Sequence, residues 1–310
     1  MKCLVLGAAG FLGRHLVSEL LAMEHTVIVY DRRFDATNST LKSEKLKYIT
    51  GEFSKEHRWT EILKDVQVCF HLISTTVPKS SNDDPIDDVQ GNIIGTLNFL
   101  ENAKKYKIRI VFTSSGGTVY GAVAQDSIDE KHETNPLCSY GITKLAIEKY
   151  LLLYQELHGL KSVVLRIANP YGEGQNPDAI QGAIGVFMAR ALRGHTIDIW
   201  GDGSVVRDYL YVSDVVKAMI AASSYGGSSH VFNIGSGIGV SLREILEKIE
   251  HIIGKKVDVV FHPPRGFDVP RNVLSISKAQ TELGWQPKIS MIEGLERTAV
   301  WMRERFLAGE

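Results

Sequence analysis

Tyr140 and Lys144 stand four residues apart in CSYGITK (residues 138–144), inside a segment whose apolar residues recur at helical spacing. A helix would carry both side chains on one face, one turn apart. The pair is either an ordinary neighbour pair on a solvated helix or a phenol held beside an ammonium. A phenol with a pKa of about 10 is a poor base at neutral pH. A nearby positive charge favours phenolate and lowers that value, making Tyr140 a general base with Lys144 as its electrostatic partner. Upstream, FTSSGGTVYG (112–121) puts the hydroxyls of Ser114, Ser115 and Thr118 just after a strand-like run. They are either turn residues or further members of the same proton-transfer group.

Groups so far apart in sequence need a scaffold that gathers them. The runs KCLVLG (2–7), TVIVYD (26–31), LKYIT (46–50), VQVCFHLI (66–73), IRIVFTSS (108–115) and SVVLRIAN (162–169) read as buried strands. FLGRHLVSELLAM, DVQGNIIGTLNFLENAKKY and YGITKLAIEKYLLLYQELHG lie between them and read as helices. This alternation predicts an α/β fold with a doubly wound parallel sheet and helices on both faces. Ligands bind at the C-terminal edge of such a sheet. From about residue 170 glycine and proline become denser and the elements shorten. The expectation is a dinucleotide-binding domain over 1–170 and a smaller α/β substrate region over 171–310. HVFNIG (230–235) is apolar enough to return to the main sheet, which would interleave the two.

Gly7, Gly10 and Gly13 form G-x-x-G-x-x-G between the first strand and the first helix. Glycine there permits a tight turn, lets a pyrophosphate approach the backbone and lets the helix pack on the sheet. Asp31 closes the second strand, where a carboxylate can accept hydrogen bonds from the adenosine ribose. Asp31 favours NAD by repelling a 2′-phosphate, while Arg32 and Arg33 could hold one and leave NADP open.

The bulk properties narrow the partners. The chain has 310 residues, 44% hydrophobic and 23% charged, with a formal net charge of −1. No basic excess is present to displace counterions from a nucleic acid. No apolar run is long enough to span a membrane, and the N-terminal strand lacks the cleavage pattern of a signal peptide. Cys3, Cys69 and Cys138 are scattered and lack metal-ligand spacing, as expected of a soluble protein in a reducing cytoplasm. None of the ten histidines falls in H-x-x-x-H or H-E-x-x-H, so no metal site is expected.

Taken together, the glycine loop, HLIS, NIIGT, SSGGTVYG, SYGITK, RIANPYG, GDGSVVRDYLYVSDVV and PRGFDVP give a chain that resembles the extended short-chain dehydrogenase/reductase family. Within it the resemblance is to the NAD-dependent nucleotide-sugar epimerase/dehydratase group, especially the UDP-hexose 4-epimerases. It covers essentially the whole chain and implies a Rossmann fold, bound NAD and a homodimer built from helices around 86–105 and 139–158. The implied reaction is C4 epimerisation of UDP-glucose/UDP-galactose, of UDP-GlcNAc/UDP-GalNAc, or of both, through a transient 4-keto sugar. Tyr140 would take the 4-hydroxyl proton, and Ser115 or Thr118 would share it. The family commonly has Ser or Thr where this chain has Gly116, which leaves the hydroxyl partner open. The related dehydratases and decarboxylases carry an acid just before VYG; here Gly117 and Thr118 stand there. The alternatives are an epimerase of an acid sugar and a 4-keto nucleotide-sugar reductase.

The resemblance also implies the remaining site residues. Phe11 and Leu12 of the glycine loop, Glu52 and Phe53 of GEF, Leu72 and Ser74 of HLIS, Asn92 and Ser114 fall at cofactor-binding positions. Thr76 falls at a sugar-facing position. Asn169, Arg207 and Arg265 would hold the diphosphate, Asp198 and Trp200 the uracil, and Asp268 the uridine ribose. Asn272, seven residues after Arg265, would border the substituent on sugar C2. Asn is smaller than the Tyr that closes this wall in some epimerases, so room for an N-acetyl group is expected.

Overall fold

The structure, a computed structural model, describes residues 1–34, 43–178, 182–264 and 269–307. The chain folds into two compact units that are interleaved in sequence. The first holds Met1–Tyr120, Glu133–Arg166 and Val216–Phe232; the second holds Gly121–His132, Ile167–Val215 and Asn233–Glu310.

In the first unit the chain runs through β1 (Lys2–Leu6), α1 (Phe11–Ala22), β2 (Thr26–Asp31), β3 (Leu46–Thr50), the short helix α2 (Trp59–Ile62) and β4 (Val68–His71). It continues through α3 (Pro78–Asp83), α4 (Pro85–Asp88), a π-helical stretch over Val89–Ile94, α5 (Gly95–Ala103), β5 (Arg109–Ser115), α6 (Ser139–His158) and β6 (Lys161–Ile167). Beyond them come β7 (Asn169–Tyr171), α7 (Ala183–Arg193), β8 (Ile197–Trp200), β9 (Val206–Tyr211), α8 (Val212–Ser224) and β10 (Val231–Ile234). The chain closes with β11 (Gly239–Ser241), α9 (Leu242–Ile253), β12 (Val259–His262), β13 (Arg271–Asn272), α10 (Ser277–Glu282) and α11 (Met291–Leu307).

The main sheet has seven strands in the order β10-β6-β5-β4-β1-β2-β3. β1 pairs in parallel with β2 and β4, β2 with β3, and β4 with β5. The order reverses at β1/β4, the point at which sheets of this kind bind ligands outside the carboxyl ends of the strands. Continuous apolar sequence explains the central strands: Cys3–Leu6, Val27–Tyr30 and Val68–His71 are all buried, as a sheet covered on both faces requires. Burial of Gly13, Leu16, Val17 and Leu20 shows α1 packing through one helical stripe. Leu4, Leu6, Tyr30, Trp59, Phe99 and Phe112 belong to one core cluster, and burying each large apolar side chain contributes roughly 1.5–3 kcal/mol.

α6 buries Lys144, Ile147, Glu148 and Leu151 along one stripe and ends on Gly159, whose φ of 67° closes the helix in the left-handed region. Two charged residues on a core-facing stripe cost stability unless partners compensate them. The helix expected over DVQGNIIGTLNFLENAKKY is broken instead into α4, the π stretch and α5. The π stretch widens the turn that carries Asn92. The strand expected over 162–169 also splits, into β6 and β7.

In the second unit β7, β9, β11 and β13 form a small sheet centred on β9, and β8 pairs with β12 in parallel. Asp208 on β9 is fully buried and accepts hydrogen bonds from Ser236 N, Ser236 Oγ, Gly237 N and Leu274 N. Burial pushes its carboxyl pKa up, and these donors oppose the shift. No helix among the described residues is long and apolar enough to cross a membrane.

Candidate active site

A pocket of about 310 Å³ lies at the C-terminal ends of β1, β2, β3 and β4. Gly7, Gly10, Asp31, Arg32, Glu52, Phe53, Leu72 and Ser74 line it, together with Ala9, Tyr30, Gly51, Ile73 and Thr75. Gly7 has φ 84°, and a Cβ there would sit 3.1 Å from Ile73 N. A Cβ on Gly13 would sit 2.7 Å from Ala8 Cα, so only glycine lets α1 close on the turn. Gly10 is the N-cap of α1, which leaves the first N–H groups of the helix to face an anion. Phe11 and Leu12 form the first turn of α1 behind it.

The Asp31 carboxylate accepts from Ala9 N at 2.9 Å and Arg32 N at 2.7 Å, tying the glycine turn to the end of β2. The turn, the free N–H groups and this carboxylate fit a dinucleotide. Asp31→Ala should weaken NAD binding to nucleotide-free protein by about tenfold or more, the scale of hydrogen bonds to a charged group, and weaken NADP less. Titration calorimetry with both nucleotides checks this; an equal loss for both would show that Asp31 does not read the ribose.

Beside this pocket stands the Tyr–Lys pair. Lys144 is 4% exposed, and its Nζ donates to Thr113 O at 2.9 Å. It lies 4.9 Å from the centre of the Phe112 ring and 5.7 Å from that of Tyr140. Burial pulls its pKa down to about 8, against the pull of Asp88 and Glu148. The Ser74 and Ser115 hydroxyls stand near the Tyr140 phenol and favour its anion, although the Ser74 hydroxyl donates to Thr76 O at 3.0 Å. Its pKa is not lowered as expected: burial pushes it up to about 12, more than the two serines offset. Desolvating an anion outweighs two neutral hydroxyls nearby.

The serine loop divides its hydroxyls. Ser115 stands near Tyr140, whereas Ser114 donates to the buried carboxylate of Glu148. Thr118 Oγ1 is buried without a hydrogen-bond partner, and its Cβ is 3.2 Å from where a Cβ on Gly141 would stand. Asn92 is also committed to protein groups: its Oδ1 accepts from Thr75 N, and its Nδ2 donates to Thr75 Oγ1 and to Asp88. The Thr76 hydroxyl donates to Asp88.

Two buried groups escaped the sequence reading. Glu148 pairs with Arg166 at 2.7 Å, and Arg166 also donates to the Tyr120 hydroxyl at 2.9 Å. Asp88 collects hydroxyl and amide donors around the start of α6. Both had a signal. Glu148 is four residues after Lys144 on the apolar stripe, and Asp88 is four before Asn92.

In the second unit, Arg207 donates to Val206 O and Val269 O, and Asn169 to Asp208 O. The Asp208 carboxylate itself caps the backbone N–H groups of Ser236, Gly237 and Leu274. Asp198 holds Arg190 and His262, at 2.5 and 2.8 Å. Trp200 is 40% exposed and stacks on His262 with ring centres 5.1 Å apart. Asn272 is buried in β13, in register with Arg207. Arg265 and Asp268 lie outside the described residues. No metal-ligating cluster occurs among the described residues.

Residues 3–235 match the model of the NAD dependent epimerase/dehydratase family. The chain belongs to that family. Its cofactor is NAD, which the glycine cradle and Asp31 would hold. The UDP-glucose 4-epimerase of Mycolicibacterium smegmatis is 36% identical over 98% of this chain and 99% of its own. The UDP-glucose 4-epimerase structure from Thermotoga maritima with UDP-glucose has a TM-score of 0.93 at 36% identity, covering 99% of this chain and all of that one. A third family member, the Thermus thermophilus UDP-glucose 4-epimerase in complex with NAD, has a TM-score of 0.90 at 32% identity over 98% of this chain and 99% of that one.

Proposed function

We propose that this protein interconverts the C4 epimers of a UDP-hexose. The observation that carries the reading is the Tyr140 phenol on α6 near Ser115, with Lys144 one turn on and no carboxylate at positions 116–118 of the loop after β5. An elimination needs an acid there to expel water; epimerisation needs none. Tyr140 takes the proton from the 4-hydroxyl and later returns it. Ser115 is proposed to hold the same oxygen, a better candidate than Thr118, which packs over Gly141. Bound NAD supplies the oxidant for C4 and a positive ring charge that opposes the desolvation of the phenolate. Lys144 adds a second positive charge below its pKa of about 8. Arg207 and Asn169 are proposed to hold the diphosphate, and Trp200 to stack on the uracil. Proton NMR of a panel of UDP-sugars, following the anomeric signals, tests the reading: one epimer should become a mixture of two without added NADH. Stoichiometric NADH consumption would select a reductase.

Both plain and N-acetylated UDP-hexoses are proposed substrates, with Asn272 as the wall near sugar C2. Asn272→Tyr should abolish turnover of UDP-GlcNAc while sparing UDP-galactose. Wild-type rejection of the N-acetyl sugars, or equal loss of all substrates in the variant, would remove the assignment.

The protein is also proposed to be a homodimer. Ile94 of the π stretch and Ile142, Leu153 and Leu157 of α6 are 44, 55, 46 and 63% exposed. Four apolar side chains on neighbouring helices suit a second copy of the same face. Light scattering should give twice the mass of the 34.4 kDa chain, and Leu153→Asp with Leu157→Asp should halve it. A monomeric wild type would contradict the assignment.

A further inference from the structure

Asp88 ends α4, where the chain enters the π stretch, and it is fully buried. It forms no ion pair among the described residues. All of its side-chain partners donate: Thr76 Oγ1, Asn92 Nδ2 at 2.9 Å, Ser139 Oγ at 2.7 Å and Thr143 Oγ1 at 2.6 Å. Such donors suit an acceptor-only carboxylate.

The donors come from two places that matter. Thr76 follows the Ser74 whose hydroxyl stands near Tyr140, and Asn92 fixes the same loop through Thr75. Ser139 and Thr143 immediately precede Tyr140 and Lys144 on α6. One carboxylate therefore joins the loop after β4 to the turn of helix that carries the base. A buried carboxylate outside any ion pair is costly even when hydrogen-bonded, and here that cost is met at the turn that carries the base. Stability alone does not account for a charge here.

Building on the epimerase reading above, we propose that Asp88 is a positioning residue, holding Tyr140 and Lys144 in register with the serine hydroxyls through Ser139, Thr143, Thr76 and Asn92. Its charge acts on the same pair by raising the pKa of both Tyr140 and Lys144. The other groups facing them are few. Cys138 at the N-cap of α6 also raises Tyr140, and the Ser74 and Ser115 hydroxyls lower it. Glu148 of α6 raises Lys144. His71 of β4 is held neutral by burial and by Lys144, its pKa pushed down to about 3. Removing the Asp88 charge should thus lower both pKa values together and move the pH profile towards acid.

Asp88→Asn keeps the shape and removes the charge; Asp88→Ala removes the acceptors as well. Each is compared with the wild type as NAD-loaded protein, for kcat and KM against pH. Tyr140 phenolate is followed by ultraviolet difference absorbance, with Tyr140→Phe as blank. Asp88→Asn should keep its KM and lower the phenolate midpoint by about half a pH unit or more, since a charge acting through a poorly screened interior is felt at that scale. Asp88→Ala should lose about 10²-fold in kcat, the cost of misplacing a reacting group, with KM changed by less than about threefold. Should Asp88→Ala not fold, Thr143→Val removes one donor to the same carboxylate and should lower kcat in the same direction. An unchanged phenolate midpoint in Asp88→Asn, or undiminished kcat in folded Asp88→Ala or Thr143→Val, overturns the proposal. If the wild type turned over no UDP-sugar, the epimerase reading would fail while the phenolate titration still decided the role of Asp88.

Discussion

Tyr140→Phe is expected to retain NAD and to lose at least ~10²-fold in kcat, the scale of general acid–base catalysis. Only the phenolic oxygen is removed, so the ring, its place on α6 and the contacts of Lys144 stay. The pH dependence should change with it. In the wild type kcat should rise with pH on the acid side, because a phenol pushed up to about 12 must lose its proton to act. It should level off above about 8, where the loss of charge on Lys144 offsets the continuing gain of phenolate. The residual rate of the Phe variant should lack the acid limb. Near wild-type turnover in that variant would remove Tyr140 from the mechanism.

Glu148→Ala should cost roughly 3–5 kcal/mol of stability, the usual result of stripping one partner from a buried ion pair. Glu148 and Arg166 are 1% and 5% exposed, and the carboxylate takes Arg166 Nε and Nη2 together with the Ser114 hydroxyl. Without it a buried guanidinium keeps, among the described residues, the Tyr120 hydroxyl and the face of its ring, whose centre is 4.8 Å away. Glu148→Gln keeps the shape and still strands the charge, so it should lose most of the same stability. Urea unfolding measures both. Wild-type midpoints would show that Arg166 finds solvent or another acceptor.

The outline of the fold was legible because its signals are local. Buried parallel strands such as Val27–Tyr30 read as unbroken apolar runs, and the glycine turn marks the first crossover. The break of one expected helix into α4, the π stretch and α5 was not legible, since apolar spacing hardly distinguishes one wide turn from a regular one. At the site, Tyr140, Lys144 and Ser115 stood out through residue type and spacing. Their support did not. Glu148, Arg166 and Asp88 matter through partners distant in sequence, and single-chain spacing does not pair a helix residue with a strand residue. The Tyr140 pKa went astray for a related reason: sequence shows the neighbouring lysine but not the depth of burial, and burial wins.

One labelling measurement tests the central claim most directly. UDP-glucose carrying deuterium at C4 is incubated with the purified protein and no added nucleotide, and the label is located in both epimers by NMR. Epimerisation through a 4-keto sugar that never leaves the site predicts that deuterium stays at C4 in UDP-glucose and in UDP-galactose, with none lost to water. Loss of the label to solvent, or no UDP-galactose from an NAD-loaded protein, would contradict the account.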